Sequence, residues 1–238
     1  MKALCKKELQ FYLNNPIGYI VIILFAVFAN FLFIKDIFVI GSASMRPFFD
    51  VLPWLFMIVI PAITMSMFAQ ERRTKTIEVL LSLPVSELQI VIAKFLVGLS
   101  LVAISLILTL ALPLSLFALT SQLGAQLYIP ELIVGYMGAL FVAASYISIG
   151  LYFSLRFENQ MVSYLLSVLV LFILIMFSTD FMGGIVPGQV QSLLVYFSPV
   201  TQMQGFIKGV IDLRSTLYFV NLTALSLFLT ITTLERRD

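Results

Sequence analysis

The chain has 238 residues, of which 61% are apolar and 11% are charged, and its formal net charge is +2. A mean hydropathy of +1.08 exceeds what a water-soluble globule can bury, so the composition excludes a soluble protein and indicates an integral membrane protein. One cysteine and no histidine rule out an internal disulfide and a His/Cys metal site, and the scattered basic residues give no reason to expect a nucleic-acid partner.

The apolar residues stand in long uninterrupted runs, a pattern typical of membrane-spanning helices and not of the alternating strands of a membrane barrel. Ahead of the first run, residues 1–15 separate lysines from apolar side chains around a helix, which predicts an amphipathic helix at the membrane interface. The runs long enough to span are Ile17–Ile34, Val51–Ala69, Phe95–Leu119, Leu132–Leu155, Met161–Thr179 and Leu217–Leu234. We therefore predict an all-α integral membrane fold with six transmembrane helices in a single domain, residues 1–238.

Lysine and arginine residues are unevenly distributed between alternate connections. One side of the membrane would hold ten of them together with both chain termini, and the other side would hold four. The positive-inside rule places the richer side in the cytoplasm. The connection between spans five and six, Asp180–Thr216, is too apolar for a free loop, so we predict short helices at the outer interface.

A short charged stretch, Gln70–Pro84, separates the second and third spans on the predicted cytoplasmic side and is called the charged segment below. Its polar residues recur at helical spacing, so one continuous helix would gather them on one face. These residues are Glu71, Lys75, Glu78 and Ser82. Pro84 would end that helix, and Ser86 with Gln89 has the pattern of a capping box that begins the next one. The charged segment is thus predicted to be a helix of its own.

Several kinds of chemistry are disfavoured by what the sequence lacks. The predicted spans contain no ionisable side chain, whereas an ion-coupled carrier usually keeps one near the middle of the membrane. They also offer no acid–base pair for an intramembrane enzyme. The sequence has no GxxxxGK[ST] phosphate-binding motif, so the chain is not expected to hydrolyse a nucleotide alone. Energy for any work would have to come from a partner.

The run from Ala69 to Pro84, A-Q-E-R-R-T-K-T-I-E-V-L-L-S-L-P, resembles the first cytoplasmic loop of ABC-2 type permeases, whose usual pattern is E-x-x-x-G-T-[IL]-E-x-L-L-x-x-P. Lys75 replaces the frequent glycine, a departure that we interpret as leaving the helix intact. The stretches that look closest to the gliding-motility-associated, GldF-like branch are Lys6–Leu9 with Asn15–Tyr19, Pro61–Met65 and Gly209–Arg214. The resemblance covers nearly the whole chain.

The resemblance implies a six-helix subunit with an amphipathic connecting helix first and re-entrant outer helices between spans five and six. It also implies that this subunit pairs with a second copy or with a homologous permease or auxiliary subunit. It also implies a separate cytoplasmic ABC ATPase that binds ATP and Mg, so this chain would be a non-catalytic subunit without a cofactor of its own. The charged segment would be the coupling helix that docks on this ATPase. The docking candidates are Glu71, Arg72, Arg73, Thr76, Ile77 and Glu78. Topology alone would also place Arg72 and Arg73 there, whereas acidic residues add little to topology.

Together these expectations describe the permease subunit of an ABC transporter in a bacterial inner membrane, coupling ATP hydrolysis to export or to conformational work. The alternative is a non-transporting anchor that passes ATPase-driven motion to extracytoplasmic partners, as in a gliding-motility complex. Both alternatives use the same cytoplasmic segment, and substrate-stimulated ATPase activity would separate them. No catalytic, metal-binding or substrate-binding residue is assigned from the sequence.

Overall fold

A computed structural model of the chain describes residues 2–14, 16–40, 44–81, 85–111, 113–114, 129–178 and 188–236. Within these ranges ten helices have both of their bounds, residues 111 and 113–114 are also helical, and no strand is present, which confirms the all-α prediction. The helices are α1 (Lys2–Asn14), α2 (Pro16–Ile40), α3 (Arg46–Arg73), α4 (Ile77–Leu81), α5 (Glu87–Thr109), α6 (Ile129–Arg156), α7 (Gln160–Met176), α8 (Gly188–Tyr196), α9 (Pro199–Ile207) and α10 (Leu213–Glu235).

Four helices are long and apolar enough to cross a membrane, namely α3, α5, α6 and α10. Two shorter apolar helices accompany them, the Gly18–Leu32 part of α2 and the whole of α7. Each predicted span overlaps one of these six helices. Within the described residues, however, only α3, α5, α6 and α10 have the length and hydropathy of a span. The structure therefore supports a multi-span membrane protein and leaves the count of six as a proposal.

The third span begins earlier than the sequence indicated. Helix α5 starts at Glu87 and not at Phe95, because Ser86 caps it: the Ser86 hydroxyl accepts a hydrogen bond from the Gln89 amide at 3.4 Å. The predicted cap is thus confirmed, and the eight residues after it belong to the helix. Its predicted end at Leu119 lies outside the described residues.

Helices α3 and α6 form the centre of the bundle. Helix α3 buries a stripe with three- and four-residue spacing, as expected of a helix that turns one face to the core. The stripe consists of Phe49, Leu52, Phe56, Ile60, Ile63 and Met67. Helix α6 crosses it closely at Gly150, where an added Cβ atom would overlap the Thr64 hydroxyl oxygen. The absence of a side chain at Gly150 is what permits this crossing.

An ion pair joins the first turns of α3 and α6. The Arg46 guanidinium donates to both carboxylate oxygens of Glu131, at 2.8 and 3.3 Å, and the Ser44 hydroxyl donates at 3.2 Å. Helix α9 is held at the same end, because the Gln204 amide donates to the Asp50 carboxylate at 2.9 Å. Short helices were predicted between spans five and six, and α8 and α9 confirm that they form there; Asp180 itself lies outside the described residues.

Helix α1 has the two sides that the sequence predicts. Lys6, Lys7 and Gln10 are exposed, whereas Leu9 packs against the core and Tyr12 is buried. The Tyr12 hydroxyl shares a 2.8 Å hydrogen bond with Ser66 of α3. Burial raises the pKa of Tyr12 above its ordinary value, so the phenol stays protonated and α1 remains attached through a neutral contact.

Candidate functional site

The charged segment is not a helix of its own, and that prediction is wrong. Helix α3 continues through Gln70 to Arg73, a turn follows at Thr74–Thr76, and α4 then occupies Ile77–Leu81. Lys75 has φ of +55°, the left-handed conformation that ends right-handed helices. The first half of the segment is therefore the end of a span. The predicted end at Pro84 lies outside the described residues.

The backbone of the turn satisfies the last carbonyls of α3. The Thr76 amide donates to the Glu71 carbonyl at 2.9 Å and the Lys75 amide donates to the Arg72 carbonyl at 3.1 Å. This pair of bonds is the Schellman motif, in which the residue after the C-cap is usually glycine. Lys75 occupies that position. The interpretation that Lys75 leaves the helix intact is thus wrong, since this is the residue at which the helix stops.

The break also removes the common polar face that one helix would have formed. Glu71 lies before the left-handed residue and points into the bundle, whereas Glu78 lies after it and is exposed. The periodicity counted across Lys75 therefore has no structural meaning, because the chain changes direction there. Ser82, the last member of the predicted face, lies outside the described residues.

The six docking candidates divide into an anchoring group and an exposed group. Glu71 forms an ion pair inside the bundle, the Arg72 guanidinium donates to the Leu155 carbonyl of α6 at 2.8 Å, and Ile77 packs against the core. Arg73, Thr76 and Glu78 are exposed. The anchoring group holds the segment against the bundle, and the exposed group is available to a partner.

A buried lysine joins the charged segment to α1 and α5. Lys94 is only 2% exposed, and its ammonium donates to Glu71 at 2.9 Å, to Glu8 at 3.2 Å and to the Met67 carbonyl at 2.7 Å. All three of its donors are thereby used. We call Lys94, Glu71 and Glu8 the lysine cluster. It connects three helices at the end of α3 opposite to the Arg46–Glu131 ion pair.

The sequence pattern alone does not predict the lysine cluster. The predicted third span begins at Phe95 and leaves Lys94 in the connection before it, but α5 begins seven residues before Lys94 and carries this lysine inside the bundle. Its charge is tolerated because two carboxylates and a carbonyl surround it; an unpaired buried ammonium would instead be very costly. The one local signal is its position after Ile90, Val91 and Ala93 in an apolar run, and this signal does not identify the partners.

A cavity of about 410 Å³ adjoins the lysine cluster between α1, the end of α3 and the turn. Lys7, Tyr12 and Gln70 line it together with the cluster. The second carboxylate oxygen of Glu71 is buried and makes no hydrogen bond within the part of the chain that the structure describes. Space and an unused acceptor therefore lie directly behind the charged segment.

The arrangement is that of a membrane bundle that presents a short, firmly anchored polar tip at one end. Residues 3–235 match the family model described as ABC-2 family transporter protein. This match is to the family as a whole and gives no support to the narrower GldF-like branch. No curated protein matches the chain. Because the family model covers almost the entire sequence, the chain belongs to the ABC-2 family of transporter proteins.

Proposed function

We propose that this chain is the transmembrane permease subunit of an ABC transporter complex in a bacterial inner membrane. It crosses the membrane six times, with α1, both termini and the charged segment on the cytoplasmic side. A separate cytoplasmic ATPase binds ATP and Mg and supplies the energy. The family match supports this proposal, as do the four span-length helices and the two shorter apolar ones.

The observation that carries the proposal is the division of the charged segment into anchored and exposed residues. Arg73, Thr76 and Glu78 project from the turn and from α4, while Glu71 and Arg72 fix the end of α3 to its neighbours. A docking element has to be rigid at its base, because a flexible loop would absorb the movement of the partner instead of transmitting it. The exposed residues are thus the docking group and the buried ones support them.

The same subunit is proposed to act as a pair, with a second copy or with a homologous permease or auxiliary subunit. Export and purely mechanical work both use this arrangement. An increase in ATPase activity when an exported compound is added would indicate transport. It would argue against an anchor that passes motion to extracytoplasmic partners. The measurement is ATPase activity of the complex in nanodiscs across candidate substrates, and activity that no exported compound changes would favour the anchor.

The docking proposal is tested by reversing the exposed charges. The double variant Arg73→Glu, Glu78→Lys should weaken retention of the co-purifying ATPase at least about tenfold. Each reversed charge would then face a charge of the same sign on an ATPase surface that complements the parent residue. The control is Glu158→Lys, an exposed reversal in the turn between α6 and α7 on the same side of the membrane. Equal ATPase retention by the double variant and the parent, or an equal loss in the control, would overturn the assignment of docking to the charged segment.

A further inference from the structure

Ser154 of α6 forms hydrogen bonds with the backbone of the last turns of α3. Its hydroxyl accepts hydrogen bonds from the Phe68 amide at 3.0 Å and the Ala69 amide at 3.2 Å, and it donates to the Met65 carbonyl at 3.0 Å. One donor and two acceptor sites are the full capacity of a hydroxyl. Ser154 is completely buried, so these bonds do not compete with water.

The placement of this hydroxyl is unusual because it contacts backbone groups that belong to one helical turn. In a regular helix the Ala69 amide bonds to the Met65 carbonyl, four residues earlier. Ser154 bonds to both of these groups, so a side chain of α6 takes part in the backbone ladder of α3. Most buried serines in helices bond instead to a carbonyl of their own helix, as Ser145 does with Val142 at 2.8 Å.

Two further contacts fix the same junction. Gly150, one turn before Ser154, allows the Thr64 side chain to approach the α6 backbone. Arg72, one turn after Phe68, donates to the Leu155 carbonyl, which lies in the last turn of α6 and has no partner within that helix. The end of α3 therefore contacts α6 at three successive levels, and the charged segment follows directly from it.

Resting on the docking role proposed above, we propose that Ser154 is a positioning residue that makes the end of α3 and the end of α6 move as one unit. Movement of the ATPase reaches the charged segment first. Because Ser154 is bonded to the α3 backbone, and not only packed against it, that movement displaces α6 together with α3. Helix α6 then carries the displacement along its length to the opposite end, where Glu131 is paired with Arg46.

The test uses the complex with its co-purifying ATPase in nanodiscs and measures hydrogen exchange with and without a non-hydrolysable ATP analogue. In the parent, the nucleotide should change exchange both in residues 65–73 and in residues 145–156. In Ser154→Ala, ATPase retention and the response of 65–73 should persist, while the response of 145–156 is lost. The Phe68 and Ala69 amides should also exchange faster by on the order of tenfold, since their common acceptor is gone.

Ser145→Ala is the matched control, because this serine is also fully buried on α6 but bonds only within its own helix in the described structure. It should keep the parental nucleotide response. Ser154→Cys, which keeps the volume with a weaker donor and acceptor, should give an intermediate response and serves if the alanine variant does not fold. A parental response of 145–156 in either Ser154 variant, or its equal loss in Ser145→Ala, overturns the inference. Failure of any ATPase to co-purify would instead overturn the proposed function.

Discussion

Lys75 adopts a backbone conformation that its own side chain disfavours. At φ of +55° the Cβ atom crowds the following carbonyl, at a cost of roughly 1–2 kcal/mol for residues other than glycine. The hydrogen bonds from Thr76 to Glu71 and from Lys75 to Arg72 offset this cost by closing the end of α3. An exposed lysine at this place adds a positive charge near the carbonyl end of the helix, where the macrodipole favours it.

Lys75→Gly should therefore stabilise the protein, by about 0.5–1 kcal/mol, because glycine adopts this conformation without the steric cost but loses more entropy on folding. Lys75→Val should destabilise it, since a β-branched side chain suits φ > 0 even less. Chemical unfolding in detergent measures both. Gly209, which has φ of +77°, provides the reverse substitution: Gly209→Ala should lower stability. If Lys75→Gly unfolded more easily than the parent, the turn geometry would be wrong.

The free energy of unfolding is expected to depend strongly on one buried charge of the lysine cluster, the Lys94 ammonium. Lys94→Met should reduce the free energy of unfolding by about 3 kcal/mol, because it leaves the carboxylates of Glu8 and Glu71 without their shared cation. Adding Glu71→Gln should recover part of this loss by removing one of the two charges. Lys208→Met, an exposed control, should change stability by less than about 0.5 kcal/mol. Equal effects of Lys94→Met and Lys208→Met would contradict the burial of this ammonium.

At the residue scale, the correct predictions concern features that are set by residues close together in the sequence. Ser86 and the sides of α1 follow from caps and periodicity within one helix. The burial of Lys94 depends on Glu8, which lies 86 positions away in the sequence, and no local pattern reports such a contact. Lys75 was misread for a different reason: a charged residue in a helical pattern has no feature that marks a left-handed backbone.

The crossing of α3 and α6 lies at the centre of the bundle. The two helices approach closely there because Gly150 has no side chain. The site for a Cβ atom there is occupied by the Thr64 side chain, whose hydroxyl in turn donates to the Ile60 carbonyl at 3.1 Å. Both residues are buried. Helices that approach this closely in a membrane gain packing contacts that lipid cannot supply.

Gly150→Ala should destabilise the protein by about 1–3 kcal/mol, as expected when a methyl group enters a filled space. Gly205→Ala in α9 is the control, because its nearest neighbour would be an ordinary 3.5 Å away. This second substitution should be neutral or slightly stabilising. Thr64→Ala combined with Gly150→Ala should restore part of the loss. Thermal unfolding monitored by circular dichroism tests the set, and similar losses at both glycines would argue against the crossing.

At the element scale, hydropathy located the long helices and misplaced some of their ends. The runs predicted as Val51–Ala69 and Leu132–Leu155 lie inside α3 and α6, but α3 extends to Arg73 and α6 begins at Ile129. The predicted fourth span begins at Leu132 and leaves Glu131 outside it, yet Glu131 is buried in the first turn of α6 through its pairing with Arg46. A hydropathy profile records the composition of a segment and not the partners that neutralise its charges.

The molecule as a whole has two polar ends separated by an apolar bundle. Helix α3, with 28 residues, is roughly 42 Å long, close to the full thickness of a bilayer with its headgroup regions. Its first turn bears the Arg46–Glu131 ion pair, and its last turns bear Glu71 of the lysine cluster. Between Arg46 and Glu71 the only charged residue of α3 is Asp50, which lies one turn from the start. The ion pairs thus lie near the two ends of this span-length helix.

This architecture gives a direct test of orientation. Helix α10, Leu213–Glu235, is span-length, so cysteines that replace Lys208 and Glu235, both exposed, should lie on opposite sides of the membrane. Cys5 is the only native cysteine, and Cys5→Ser supplies a clean background.

In the proposed six-span topology, ten of the fourteen lysine and arginine residues would lie on the side that includes both termini, and the positive-inside rule predicts that position 235 is cytoplasmic. A membrane-impermeant maleimide added to intact cells should therefore label Lys208→Cys and reach Glu235→Cys only after the membrane is permeabilised. Removing Lys208 takes one positive charge from the outer side, so the substitution itself does not favour inversion. Labelling of position 235 alone in intact cells would show that the topology is the reverse of the proposed one. The charged segment would then lie outside, where a cytoplasmic ATPase could not bind it. Labelling of both positions in intact cells would show that α10 does not span, and the six-span arrangement would fail with it.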